Sequence, residues 1–297
     1  MKPILSIIVV SYNTKALLEK CLASIKAGAS GKSFETIVVD NASKDESAKM
    51  VSMKFPKAKL VANSSNKGFG AANNQAIAIA SGKYLALVNS DVVLKPGALS
   101  SVVDFMDRNQ KVAAASLMLF NPDGSVQPNC TSFPTLKSEI LARIPFFSVP
   151  AKYFVPRTPS QVENFSGACF ILRKSAVDEC GAFDESFFMY LEESDLFLRL
   201  SKAGWKIFSV PTGRAIHFGG ASTSYAPRRQ LLYFQSLLKF FSKHYGFWQA
   251  LALRKTVFIG SALTFLASFI GVLFGNPLAK ERFLLAKELL GQSVSDW

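Results

Sequence analysis

Between residues 4 and 120 the chain repeats one pattern: a short apolar run, then a stretch whose apolar residues recur every three or four positions. Leu5 to Val10 is the first run, almost unbroken, as in a strand covered on both faces of its sheet. Thr14 to Ala27 follows with Leu17, Leu18, Cys21, Leu22 and Ile25 on one helical stripe. The pattern then predicts a strand over Thr36 to Val39, a helix over Glu46 to Phe55, and a short strand over Lys59 to Ala62. An alanine-rich helix over Gly70 to Ala80, a strand over Tyr84 to Val88, a helix opened by Pro96 in its first turn, and a strand over Val112 to Leu119 complete it. Strands alternating with helices imply a parallel or mixed sheet with helices on both faces. Such sheets bind ligands outside the carboxyl ends of their strands, so the residues just after each strand carry the functional reading.

The remainder is less regular. Residues 120–159 are rich in Pro, Ser and Phe and read as long loops with one helix near Leu136 to Arg143. Regular structure resumes with a strand ending at Phe170 to Leu172, a helix over Ser175 to Cys180, an amphipathic helix over Asp195 to Ala203 capped by Gly204, and a strand over Ile207 to Val210. The tail, 228–297, differs in kind. Thr256 to Phe274 is 19 residues without a charge, bracketed by Arg254, Lys255, Lys280 and Arg282. About 20 apolar residues span a bilayer, but Gly260, Ser261, Thr264, Ser268 and Gly271 dilute this stretch, so insertion in a membrane and packing as a buried hairpin both fit. Phe240, Phe241, Tyr245, Phe247 and Trp248, interleaved with Lys239 and Lys243, read as an interfacial helix before it. The expected division is an α/β domain over 1–227 and a basic, apolar helical tail over 228–297, read as membrane-associated.

Composition narrows the class. Hydrophobic residues make up 49% of the 297, enough for a large core, and the net charge of +13 calls for a polyanionic partner such as a phosphorylated substrate or an acidic membrane surface. No nucleic-acid motif accompanies the charge. Cys21, Cys130, Cys169 and Cys180 form no metal-finger pattern and read as reduced thiols. The apolar N-terminus, ending in Ser11-Tyr12-Asn13 without a small-residue cleavage site, reads as a strand rather than a signal peptide.

Polar clusters stand at the predicted strand ends. Asp40, in Val39-Asp40-Asn41-Ala42-Ser43, suits a base or ribose, or a turn. Asn66 with Gly68 and Gly70 precedes a helix N-terminus, which favours negative charge; a plain glycine turn fits as well. Asn89-Ser90-Asp91 places one carboxylate where a divalent cation and a diphosphate would meet it, or in a surface turn. Glu192-Glu193-Ser194-Asp195 puts three carboxylates in four residues, whose mutual repulsion suits a general base. His217 ends a strand, as a structural residue or as a second ligand with Asp91.

In this order the clusters resemble the inverting glycosyltransferases of family 2, with a single Rossmann-like GT-A nucleotide-sugar domain, and most of all the bacterial rhamnosyltransferase branch. The matching residues are 6–13, 39–43, Asn66, 68–70, Asn73, Asn74, 89–91, 166–168, 181–185, 190–199, His217, Gly220 and Ser222, within a resemblance covering 3–245. It implies that Tyr12, Asp40 and Asn41 border base and ribose, that Asn66 and Gly68 lie by the nucleotide with Asn89 and Ser90, and that Asp91 and His217 hold Mg²⁺ or Mn²⁺. Ser166 and Gly167 would line the sugar and acceptor region, and Glu193 would be the base, supported by Glu192 and Asp195. Two positions depart from the family pattern. Asn89 stands where an Asp is common, as is frequent in the rhamnosyltransferase-like branch, and Glu193 replaces the usual Asp base with one more methylene.

The implied function is transfer of rhamnose or a similar sugar from a dTDP- or UDP-sugar to a saccharide or lipid-linked acceptor, in polysaccharide synthesis at the cytoplasmic face of a bacterial inner membrane. A degenerate, non-catalytic scaffold is the alternative, supported by the two departures. A nucleotidyltransferase would carry a glycine-rich basic turn after the first strand, where this chain has Ser11-Tyr12-Asn13-Thr14.

Overall fold

A computed structural model describes residues 2–142, 153–219 and 226–273, with 280, 283–284 and 286–288 beyond. Arg143, Gly220, Ser222, Phe274 and Arg282, which entered the expectations above, lie outside the described residues. The chain divides into two compact units. One comprises Met1–Phe133, Lys152–Phe188 and Glu192–Ser222, the other Pro134–Ala151, Met189–Leu191 and Thr223–Trp297.

The first unit begins β1 (Leu5–Ser11), α1 (Lys15–Gly28), β2 (Phe34–Asp40), α2 (Ser47–Lys54), β3 (Lys59–Ala62), α3 (Phe69–Ile79) and β4 (Tyr84–Val88). β5 (Val92–Leu94), α4 (Ala98–Arg108), β6 (Val112–Phe120), β7 (Val126–Gln127) and β8 (Cys130–Thr131) follow. After α5 (Leu136–Leu141), which belongs to the second unit, come β9 (Ser160–Gln161), β10 (Asn164–Phe165), β11 (Cys169–Arg173), α6 (Lys174–Cys180), α7 (Glu192–Lys202) and β12 (Lys206–His217). The main sheet runs β3-β2-β1-β4-β11-β6-β12-β5, with β7 on β6 and β9 on β12. It is mixed: β1, β2, β3 and β4 are mutually parallel, as are β6 and β12, while β11 and β5 run against their neighbours.

Both faces are covered, which is why the central strands are apolar throughout. Leu5, Ile7 and Val9 of β1 pack with α1, α2 and α4 through Leu18, Leu22, Met50, Leu99 and Val102. Ile8, with Leu85 and Leu87 of β4, packs on the opposite side with α3, α6 and α7 through Ala72, Ala76, Val177, Leu196 and Phe197.

The short strands β5, β7, β8, β9 and β10 were not expected from the sequence, and three of the expected elements have different bounds. Pro96 lies outside α4, which starts at Ala98 behind Gly97; Gly97 takes φ +71°, a left-handed turn that glycine adopts without strain. The strand expected over Ile207 to Val210 extends to His217, because pairing with β6 resumes beyond an irregularity between Val210 and Arg214. The acidic helix begins at Glu192 rather than Asp195, since carboxylates in the first turn offset the positive end of a helix dipole.

In the second unit α8 (Ala226–Tyr245) and α9 (Phe247–Leu273) are joined at Gly246, φ +85°, and α9 also packs on α5. Phe240 and Phe241, expected at a membrane interface, are fully buried and pack on Tyr245, because the Leu237-Phe240-Phe241 stripe is the inward face of α8. Phe247 and Trp248 are exposed. Among the described residues, Phe247–Phe269 is the one helical stretch long and apolar enough to cross a membrane.

Candidate active site

Strand direction gathers the polar clusters at one edge of the sheet. β1 and β2 end level, Ser11 opposite Asp40, and Asn41 N–H donates to the Ser11 carbonyl at 2.8 Å. β11 runs the other way, so its first residue, Cys169, lies opposite Val88, the last of β4. Residues 166–168 therefore arrive where β4 hands over to Asn89, and Asn89 N–H donates to the Ala168 carbonyl at 2.9 Å. β5 pairs with the end of β12, His217 opposite Val92, which brings Asp91 to the same edge.

On the β1–β2 side the loops fasten one another. Asn13, in left-handed conformation at φ +54°, receives Lys44 N–H on its side-chain oxygen at 2.7 Å and donates its own N–H to Ser43 Oγ at 2.9 Å. The half-buried Tyr12 sits in this turn. Asp40 is buried; its Oδ2 accepts Ser43 N–H at 3.0 Å, whereas Oδ1 has no protein partner. An unsatisfied buried carboxylate oxygen costs about 1–3 kcal/mol, which a ribose hydroxyl or base N–H would relieve. Asn41 and Asn66 are committed internally. Asn41 Nδ2 donates to Asn66 Oδ1 (2.8 Å) and the Gly68 carbonyl (3.2 Å), its Oδ1 accepts from Lys67 N–H (3.0 Å) and Asn63 (3.1 Å), and Asn66 Oδ1 also accepts Gly68 N–H (2.9 Å). They shape the 63–68 loop. At Gly68, φ +86°, a side chain would strike the Phe188 carbonyl, which accepts Phe69 N–H at 3.0 Å. The close approach that this glycine permits is thus to the protein's own backbone.

On the β4 side, Ser90 is held from behind: Thr14 donates to Ser90 Oγ at 2.8 Å and lies 3.0 Å from Ser11 Oγ. Asn89 is half-buried. Asp91 Oδ1 faces His217 Nε2 across 3.5 Å. His217 Nδ1 lies 2.8 Å from Gln127 Oε1, and Gln127 Nε2 donates to Asn121 Oδ1 at 2.9 Å, while Asn121 Nδ2 donates to Ser125 Oγ. This chain turns the Gln127 carbonyl oxygen toward His217 Nδ1, so that in the neutral imidazole the proton sits on Nδ1 and the Nε2 lone pair points toward the carboxylate oxygen. In that form two acceptors face each other at a distance a cation would bridge. Imidazole and carboxylate suit Mn²⁺ or Mg²⁺, with further oxygens from a diphosphate and water. Among the described residues no three His, Cys, Asp or Glu side chains converge as a self-sufficient metal cage, so the donor set fits an ion shared with substrate.

At the start of α7 the carboxylates separate by role. Asp195, fully buried, pairs with Arg199 Nε at 2.9 Å, and the same guanidinium donates to the carbonyls of Cys180, Gly181 and Ala182 at 2.7, 3.0 and 2.6 Å. Asp195 therefore fixes the helix to the 180–182 turn. Glu192 and Glu193 have buried Oε2 atoms without partners. Burial pushes the Glu192 carboxyl well above the ordinary carboxylate range, and the charge of Glu193 adds to it. Burial also raises Glu193, opposed by the backbone N–H groups of Glu193, Gly167 and Ser194. Gly167 is in contact with this carboxylate: a Cβ built on it would lie 3.7 Å from Glu193 Cδ. Ser166 N–H is held by the Asn129 carbonyl at 2.8 Å, so Ser166 and Gly167 are presented beside Glu193 on a fixed backbone. Tyr190 and Leu191, just before the helix, both take positive φ (71° and 64°), strain of the kind concentrated at functional sites.

Sequence reading missed Gln127, Asn121 and Asn164, and included Arg199 in the matching segment without a role. Asn164 donates to Ser194 Oγ at 3.0 Å and keeps a buried, unpartnered Oδ1 beside the acidic helix. The signal for Gln127 was the turn sequence Asn121-Pro122-Asp123-Gly124, which closes the β6–β7 hairpin and sets Leu119 opposite Gln127.

Among curated relatives, an N-acetylglucosaminyl-diphospho-decaprenol L-rhamnosyltransferase of Mycobacterium tuberculosis is 28% identical over 293 residues, 89% of this chain and 95% of the relative. The rhamnosyltransferase WbbL of Escherichia coli K12 is 27% identical over 226 residues, 71% of this chain and 82% of the relative. Among solved structures, the mannosyltransferase PcManGT of Pyrobaculum calidifontis, solved with GDP-Man and Mn²⁺, superposes with a TM-score of 0.58 at 15% identity, covering 100% of this chain and 87% of that one. GalNAc-T7, solved with UDP, GalNAc and Mn²⁺, gives 0.54 at 14% identity over 73% and 44%. These likenesses identify the fold as that of the GT-A glycosyltransferases. Residues 6–181 match the family model Glycosyl transferase family 2. The chain belongs to that family and is a glycosyltransferase.

Proposed function

We propose that the protein transfers rhamnose or a related sugar, with inversion, from a dTDP- or UDP-sugar to a lipid-linked saccharide at the cytoplasmic face of a bacterial membrane, with Glu193 as general base. The observation that carries the base assignment is the Glu193 carboxyl: one side meets backbone N–H groups, and Oε2 is buried without a partner. That oxygen is available to accept a proton from an acceptor hydroxyl as the hydroxyl attacks the anomeric carbon. A raised pKa brings the base closer to the working pH, where proton transfer is most effective. Glu192, pushed further up by burial, stays protonated over a wider range and spares Glu193 a second adjacent negative charge.

The donor nucleotide lies against the edge formed by Tyr12, Asp40 and the 63–68 loop, with Asp40 Oδ1 as its hydrogen-bond acceptor. Asp91 and His217 would hold a divalent ion, which when bound supplies positive charge to the departing diphosphate. The names of the mycobacterial and E. coli relatives support rhamnose, and the decaprenol of the former supports a lipid-linked acceptor.

Thermal shift against dTDP, UDP, GDP and CDP, each with and without Mn²⁺, tests the donor reading. Ligands that bind only the folded state raise the melting temperature with the logarithm of their concentration over Kd. The expected result is a Mn²⁺-dependent rise for dTDP or UDP, lost in Asp91→Asn. No rise with any nucleotide, in a folded sample, contradicts the proposal and favours a non-catalytic scaffold.

A further inference from the structure

We infer that α9 lies in the plane of an anionic bilayer surface, one face sunk among the acyl chains, and does not span the membrane. The inference rests on the membrane association proposed above and specifies its geometry.

The first observation is the division of α9 into two faces. Ala250, Leu253, Val257, Ser261 and Ser268 are buried within the molecule, whereas Trp248, Ile259, Leu263, Leu266 and Phe269 are 77%, 58%, 58%, 62% and 49% exposed. At 100° per residue these exposed side chains fall on one broad side of the helix, away from the buried set. The polar residues that dilute the stretch do not interrupt that side: Ser261 and Ser268 face inward, and the Thr264 hydroxyl bonds to the Gly260 carbonyl at 2.8 Å. A row of large apolar side chains is left facing outward.

The second observation excludes a span. A span would place the charge-free run from Thr256 to the end of α9, about 27 Å of helix, across a hydrocarbon core of about 30 Å, with Phe265 at its middle. The Phe265 ring is stacked on Phe283 at 4.5 Å, and Phe269 lies 6.2 Å from the same ring. Phe283 is flanked by Lys280, Lys287 and Glu288, all exposed, on backbone that is helical at 283–284 and 286–288. Lys280 and Lys287 are three and four residues from Phe283, a reach of at most about 11–14 Å even for extended chain, less than half the hydrocarbon thickness of about 30 Å. A spanning α9 would therefore hold two ammonium groups within the hydrocarbon, where such charges are costly. Laid in the interface, the same groups stand at headgroup depth.

Charge selects the occupant. From residue 226 to residue 280 the sequence contains no Asp or Glu, while Lys239, Lys243 and Lys255 are exposed on α8 and α9. A basic surface beside an apolar ridge complements anionic headgroups over acyl chains.

The test uses the full chain with Cys180→Ser; Cys21, Cys130 and Cys169 are buried and shielded from labelling reagents. Fluorophores are attached singly through cysteines at 248, 259, 263 and 269, and their depth in phosphatidylglycerol–phosphatidylcholine vesicles is read with nitroxide lipids quenching at different depths. Shallow, similar depths at all four sites are expected. Vesicle binding should weaken at least tenfold in Ile259→Glu/Leu266→Glu and on purely neutral vesicles. A depth profile passing through the bilayer centre overturns the inference in favour of a span. Absence of vesicle binding, with self-association abolished by the double variant, overturns it in favour of a second copy as occupant. Transfer to a water-soluble acceptor is measured alongside: if it persists while vesicle binding fails, only this inference is lost, and if it is absent from the unlabelled chain, the catalytic reading fails separately.

Discussion

Glu192 and Glu193 occupy successive positions, yet their surroundings assign them different work. Burial raises both, and Glu192 is pushed further because it also feels Glu193. The folded protein therefore holds protons that the unfolded chain releases once the pH passes about 4.3, the ordinary glutamate value. In that window the unfolded state binds fewer protons, so stability falls as pH rises and levels off above the raised folded value. Glu192→Gln removes the larger part of this effect. It should raise the melting temperature at pH 7 and flatten its decline between pH 5 and 7, which calorimetry across that range checks; an unchanged pH slope contradicts the assignment. The sequence displayed the acidic cluster but not this division, because Glu192-Glu193-Ser194-Asp195 says nothing of which carboxylate meets a guanidinium. Asp195, expected as a support to the base, pairs with Arg199 and so secures the start of the helix that carries Glu193. Asp91 and His217, 126 residues apart in number, were paired from the resemblance and lie 3.5 Å apart. Gln127, which faces His217, was missed because its place depends on the register that the Asn121–Gly124 turn sets between β6 and β7.

At the scale of elements, the alternation of apolar runs and helical stretches was legible because both faces of the sheet are covered, leaving β1 and β4 no polar face to blur the pattern. Strand direction was not legible. The reversal of β11 is set by pairing between β4 and β6, and it carries Ser166 and Gly167 to the edge of the proposed active site. β5 is only three residues long and escapes any periodicity test. The attachment of α7 depends on Arg199, whose guanidinium satisfies buried Asp195 and three carbonyls of the 180–182 turn. Removing one partner of a buried pair costs about 3–5 kcal/mol. Arg199→Ala should lower unfolding free energy by about that amount in urea titration, whereas Arg199→Ala with Asp195→Asn should recover part of it. A single variant with wild-type stability would show the clamp to be dispensable.

Over the whole molecule, two kinds of sequence produce two kinds of surface. The first unit buries apolar strands between helices, and among the described residues four of its five buried side-chain polar atoms without a partner, Asp40 Oδ1, Asn164 Oδ1 and the Glu192 and Glu193 Oε2 atoms, lie among the residues of the proposed active site, Ser116 Oγ being the exception. The second leaves apolar residues of α9 facing outward beside lysines. The tail's composition revealed its apolar character, and of the aromatics expected at a membrane interface Phe247 and Trp248 are exposed whereas Phe240 and Phe241 turn inward. The central claim is that Glu193 removes the acceptor proton. Its most direct test is the steady-state rate of sugar transfer by Glu193→Gln, with donor affinity measured on the same preparation. With Glu193 as the base, kcat should fall about 10²–10⁴-fold, the usual contribution of a general base, with donor Kd and melting temperature close to those of the unaltered enzyme. Transfer within a few-fold of the unaltered rate would contradict it and place the base elsewhere.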